Sequence, residues 1–208
     1  MKMSLKQKRS NMTTKIKAIL GLGLVAGIGV GLMPLTSYAA TDSTVVNVII
    51  DEQITLSASD TINVLLDSNQ VSNEILGVGV GSAVVNTNNA AGYTLTLSMA
   101  AAAADQNLNG TGTAVGSSFT PVSGTFAAPA ALTPGTWGFN VAASNAPTDV
   151  AAVTTFGAVP AFASPVTISS STGPIANSST TVVVGAMPTS TLPAGTYTNT
   201  ITFTATTN

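Results

Sequence analysis

Apolar and polar residues alternate with a period of two along much of this chain. The clearest run is Tyr93-Thr94-Leu95-Thr96-Leu97-Ser98-Met99. Residues 197–206 repeat the pattern, with Tyr197, Ile201, Phe203 and Ala205 on one face and threonines on the other. Threonine suits the outer face of a sheet because it is β-branched yet polar. Further strands are predicted over residues 45–50, 53–57, 61–66, 78–87, 136–143, 166–169 and 180–186. Turn chemistry separates many of them: Asn88-Asn89-Ala90-Ala91-Gly92, Thr133-Pro134-Gly135, Thr172-Gly173-Pro174 and Leu192-Pro193-Ala194-Gly195. Short strands with such turns between them predict an all-β fold, a single antiparallel β-sandwich of Ig-like or jelly-roll-like plan. Tyr93, Leu95, Leu97, Trp137, Ile201 and Phe203 are the expected core.

Residues 100–134 do not fit the alternation. An alanine run supports at most one helical turn, and the remainder is mostly Gly, Ser, Thr, Ala and Pro with isolated Phe119 and Phe126. A long surface insertion is expected there, in the kind of loop where binding sites sit. Leu132-Thr133-Pro134-Gly135-Thr136-Trp137 echoes Leu192-Pro193-Ala194-Gly195-Thr196-Tyr197, one hairpin-entry solution used twice.

Residues 18–33 are continuously apolar. They follow a basic stretch ending at Lys17 and precede Pro34 and the small-residue exit Ser37-Tyr38-Ala39-Ala40. Basic, apolar and small-residue segments in that order are the layout of a secretory signal peptide. The expected division is a signal helix over residues 1–39, cut after Ala39, and a β-sandwich domain over residues 40–208. The competing reading is a retained anchor. Its apolar run is short of the roughly 20 residues that span a bilayer, although Gly23-x-x-x-Gly27 and Gly27-x-x-x-Gly31 would suit helix pairing in a true span. The protein is expected to be secreted to a bacterial cell surface, touching membrane only transiently through its leader.

Charge sharpens this division. All six lysines and arginines (Lys2, Lys6, Lys8, Arg9, Lys15, Lys17) lie in the leader, and all eight acids (Asp42, Asp51, Glu52, Asp60, Asp67, Glu74, Asp105, Asp149) lie beyond it. A body with no cation cannot neutralise phosphates, so nucleic acid is excluded as a partner, and anionic lipid surfaces are unsuited. A 45% hydrophobic composition with mean hydropathy +0.44 argues against disorder. With no cysteine there is no disulfide framework, and a body of this length is expected to bury one core.

The missing residue types also limit chemistry. Serine and cysteine hydrolases need a base beside the nucleophile, zinc and copper sites need His or Cys, and a P-loop needs its lysine; residues 18–208 contain none of these. Asp51 and Glu52 are adjacent, so on a strand they would face opposite ways. The chain is therefore read as non-enzymatic, with a carboxylate-based hydrolase as a remote alternative. No cofactor is expected other than calcium. Asp67, Asn69, Asn73 and Glu74 offer oxygen ligands close together in the acid-rich stretch from Asp42 to Glu74. No EF-hand spacing accompanies them, and acids that simply solvate the surface are the competing reading.

Residues 85–97, Gly135-Thr136-Trp137-Gly138-Phe139 and residues 192–205 resemble secreted β-sandwich proteins of bacterial surfaces. The ending Pro193-Ala194-Gly195-Thr196-Tyr197-Thr198-Asn199-Thr200-Ile201-Thr202-Phe203 is similar to the last strands of WxL-type wall-associated domains and of spore-coat-U-like or pilin-like sandwiches. Phe203-Thr204-Ala205 stands where a WxL protein has Trp-x-Leu. The resemblance implies a structural or adhesive surface role. Expected partners are a cell-surface or wall component, or copies of the chain itself, joined through a strand-rich N-terminal stretch over residues 45–66 that could pair with a neighbour's sheet edge. The alternative is a glycan- or calcium-binding module.

Overall fold

The computed structural model describes residues 40–142 and 153–208. The leader, its cut site and Asp149 lie outside them. The chain divides into two units, Met1–Asn47 and Val48–Asn208. Of the first, residues 40–47 are exposed chain without regular structure; the second carries the fold.

That fold is mostly β, with 45% strand and 5% helix. In chain order the elements are β1 (Ile54–Ala58), α1 (Ser68–Ser72), β2 (Gly77–Thr87), β3 (Tyr93–Met99), β4 (Leu108–Thr111), β5 (Ser118–Pro121), β6 (Ala130–Ala131) and β7 (Thr136–Val141). After these come β8 (Thr155–Phe156), β9 (Val166–Ser171), β10 (Ile175–Met187), β11 (Thr196–Thr198) and β12 (Ile201–Thr207). Seven strands form one sheet in the order β1-β2-β10-β7-β5-β4-β11, three form another in the order β12-β3-β9, and β6 pairs with β8. The sheets are mixed, which corrects the expectation of a single antiparallel sandwich: β5 runs parallel to β7, Thr120 opposite Thr136. A tight hairpin cannot join parallel neighbours, and the chain between them detours through β6.

One core cluster draws on both larger sheets. Tyr93, Leu95, Leu97 and Met99 of β3 meet Ala83 and Val85 of β2, Trp137 and Phe139 of β7, and Val182, Val184 and Ala186 of β10. Tyr93, Leu95, Leu97 and Trp137 are buried as expected, whereas Ile201 and Phe203 are only partly buried. The reason is positional: β12 is an edge strand. The opposite face of β10 is covered too, where Val183 joins Val122, Leu132, Ala142 and Phe156 in a second cluster. Burial on both faces explains why Val182-Val183-Val184 is a continuous apolar run.

Three sequence expectations change. Residues 100–134 are more than a surface insertion: they contain β4, β5 and β6, with Phe119 buried edge-on against Tyr197 (5.1 Å, 84°) and Phe126 stacked on Phe139 (5.4 Å, 12°). Strands of two to four residues are too short to display a period. Residues 61–66 form no strand, but their alternation is real. Ile62, Val64 and Leu66 turn inward on the side-chain-free face of Gly77, Gly79 and Gly81, where they fill the space a Cβ would need. Finally, residues 45–50 are not a strand in this chain.

Candidate functional site

The turn between β2 and β3 fixes the chain immediately before β1. Asn88 Oδ1 accepts from the Gln53 N–H at 2.6 Å, and Asn88 Nδ2 donates to the Asp51 carbonyl at 2.8 Å. Thr87 Oγ1 donates to the Gln53 carbonyl at 2.8 Å, and Asn89 Nδ2 donates to the Glu52 carboxylate at 2.9 Å. Asn89 is itself buried, its Oδ1 accepting from the Ala91 N–H at 2.6 Å in an Asx turn. Gly92 closes the turn at φ +85°, where a Cβ would strike the Ser171 carbonyl.

From this anchored root the chain runs back through five large apolar residues. Val45, Val46, Val48, Ile49 and Ile50 are 80–86% exposed. Isolated surface apolar residues are ordinary, whereas these five lie in one contiguous exposed run. Replacing Asn88 with alanine removes two bonds to the root and should cost about 1–2 kcal/mol. Hydrogen exchange at the Gln53 amide should accelerate while amides within β3 stay protected.

The four residues expected to offer oxygens to calcium are placed as follows. Asp67 caps α1, its Oδ1 accepting from the Gln70 N–H at 2.7 Å while Gln70 Oε1 accepts from the Asp67 N–H at 3.0 Å. Asn73 Nδ2 donates to the carbonyl and the Oδ1 of Asn69 at 2.9 and 3.0 Å. Glu74 sits at φ 55°, and its Oε1 accepts from the Ser190 N–H at 3.1 Å. Asn69 and Asn73 are thus brought together, while Asp67 and Glu74 are committed separately. Among the described residues no three acidic side chains gather into a metal-binding group.

A second polar cluster lies at Asp105. Its carboxylate accepts from Asn109 Nδ2 at 2.9 Å and from the Asn107 N–H and Nδ2, both at 3.0 Å. Asn199 Nδ2 donates to the Asp105 and Asn107 carbonyls at 3.0 and 2.6 Å, tying this loop to the start of β12. The Asn109 bond, followed by the Asn107 bonds, holds the Asp105 carboxyl below the ordinary carboxylate range despite an opposing contribution from desolvation. A carboxyl lowered by folding stabilises the fold above its unfolded pKa of about 3.9, and that support is lost as pH falls through the lower folded value. NMR titration should place the Asp105 inflection below that of a free aspartate, and Asn109→Ala should move it back upward.

Beside this cluster is a cleft of about 280 Å³ between the Met99–Gln106 stretch and Ala161–Phe162, with the Phe162 ring 56% exposed. Trp137 Nε1 donates to the Gln106 carbonyl at 2.9 Å, and Gln106 Nε2 donates to the Val159 carbonyl at 2.6 Å, setting the cleft's floor.

The chain matches no family model, no curated protein and no solved structure. Its own residues must therefore carry the functional reading. The sequence signal for the second cluster is Asp105-x-Asn107-x-Asn109-Gly110, the opening half of an EF-hand-type loop; Gly116 stands where the closing glutamate would be. The anchored root had no such signal, since Asn88 and Asn89 look like ordinary turn residues until Asp51–Gln53 is placed beside them.

Proposed function

We propose that the protein is exported by a bacterium, loses residues 1–39, and serves at the cell surface as a non-enzymatic structural or adhesive element that assembles with copies of itself. On this reading residues 40–208 are one two-layer sandwich of Ig-like or jelly-roll-like plan, and the partners are further copies or a component of the wall. The observation that carries the proposal is the exposed apolar run at residues 45–50 on a root held by Asn88 and Asn89. Covering such a run yields roughly 25 cal/mol per Å² of apolar surface, a gain that a second copy could supply. The leader pattern and the confinement of every base to it support export.

Expression of the full chain in a bacterium, followed by fractionation and intact-mass measurement, tests the proposal. The expected product begins at Ala40 and is found outside the cytoplasm. A full-length chain retained in the cytoplasm would refute it. The processed chain should also remain uncut by trypsin when fully denatured, because no lysine or arginine follows Lys17; cleavage into fragments would show that the leader is not lost.

The cleft favours a second reading, a glycan- or calcium-binding module in which Phe162 offers a ring face and the Asp105–Asn109 loop offers oxygens. Melting temperature measured with calcium and with a chelator separates the two: a calcium-dependent rise favours the module, and identical curves favour the structural role.

A further inference from the structure

We infer that residues 45–50 of one copy add as a strand to the free edge of β12 in a second copy. The inference rests on the self-assembly reading above and names the surface that would receive the arm. Strand β12 has β3 on one side and, among the described residues, no strand on the other. Its apolar residues Ile201, Phe203 and Ala205 are half-buried, while Met99, Leu97 and Leu95, their respective partners on β3, are buried. The layer is thus apolar up to its edge and incompletely covered there.

The arm fits that edge in length and pattern. Six extended residues span about 20 Å, close to the length of the seven-residue β12. Alternation puts Val46, Val48 and Ile50 on one face, suited to extend the row made by Ile201, Phe203 and Ala205, with Val45, Asn47 and Ile49 on the other. The other free edge of this sheet, β9, reads Val-Thr-Ile-Ser-Ser-Ser and is less apolar.

Charge favours the same pairing. Two bodies that carry only acids repel one another, so contact costs least where both surfaces are neutral. Residues 43–50 and Ile201–Thr207 contain no charged side chain. Assembly should therefore strengthen as added salt screens the remaining repulsion, the opposite of an interface built on ion pairs.

The test uses the full chain as the cell processes it. Sedimentation velocity across a concentration series should show reversible assembly. Val48→Asp changes an exposed side chain, so at a dilution where both chains are monomeric its melting curve should match the parent, while assembly weakens by about tenfold or more because a charge must be buried in the joint. The chain has no cysteine, so thiols can be placed one at a time. Mixing Asn47→Cys copies with Thr204→Cys copies and a short bis-maleimide should give cross-linked dimers; mixing them with Ser170→Cys copies, which carry the thiol on β9, should not. Preferential linkage to Ser170→Cys would overturn the choice of β12 and leave self-assembly standing. Linkage within single chains of the double variant Asn47→Cys/Thr204→Cys at high dilution would show that the arm covers its own edge and overturn the second copy as occupant. A Val48→Asp variant that assembles like the parent would overturn the arm as the joint and leave self-assembly standing, whereas a parent chain that stays monomeric would overturn both this inference and the self-assembly reading.

Discussion

Trp137→Ala is expected to lower folding stability by about 3–5 kcal/mol. Trp137 is buried in β7, opposite Ala186 of β10 on one side and paired with Pro121 of β5 on the other. Truncation leaves a cavity where the antiparallel and parallel parts of the large sheet meet. It also removes the indole N–H bond to the Gln106 carbonyl, which links the sheet to the loop beneath the cleft. Trp137→Phe separates these effects, retaining a large ring while losing the donor, and should cost only about 1–3 kcal/mol. Chemical denaturation followed by far-UV circular dichroism is the suitable measurement, because the substitution removes the only tryptophan. Equal losses in the two variants would mean that the hydrogen bond, not the ring volume, dominates.

Gly79→Ala should be the more instructive change, at about 2–3 kcal/mol. A Cβ there meets the carbonyl oxygen of Asn63, the Asn63 carbonyl carbon at 2.8 Å and Val64 Cγ2 at 3.1 Å, so the obstruction is largely backbone. Relief requires residues 61–66 to lift from β2, uncovering Ile62, Val64 and Leu66 together. At Gly81 the added Cβ meets the Ile62 Cδ1 and Cγ1 atoms at 2.5 Å, which a rotamer change can move. Alanine also restricts the unfolded chain, a gain of about 0.4–1 kcal/mol that offsets part of either loss. Gly81→Ala should therefore cost clearly less than Gly79→Ala. The reverse order, read from matched urea curves, would mean that residues 61–66 are not seated on the glycine face.

The sequence made some of this visible through simple periodicity. Strand β3 alternates over its whole length, and its apolar residues are buried as expected. β12 alternates just as cleanly, yet Ile201 and Phe203 are only half-buried, because a period reports which face is apolar and not how much lies beyond it. Residues 45–50 and 61–66 are likewise both rich in apolar, strand-favouring residues. One meets no cover, and the other rests on Gly77, Gly79 and Gly81. The Gly-x-Gly-x-Gly spacing was readable in advance; which segment would lie across it depended on the path of the chain. The site was less legible still. Asp67-x-x-Gln70 is a capping box, a local motif that accounts for one residue of the predicted calcium set. The root is made by side-chain bonds across more than thirty positions, from Asn88 to Asp51 and Gln53 and from Asn89 to Glu52. Separations of that size leave no trace in local pattern.

The anchored root also has a mechanical consequence. Chain tension arriving at Gln53 passes into β1, which is paired with β2 over five residues, and β2 is in turn paired with β10 through a long antiparallel ladder. Pulled along the strand axis, those rungs share the load in shear instead of opening one after another, while the bonds from Asn88 and Asn89 carry part of it to the head of β3. Stretching single chains between the arm and a handle at Met187, at the far end of β10, should therefore produce one abrupt rupture at high force, with a clear drop in that force when Asn88 and Asn89 are both replaced by alanine.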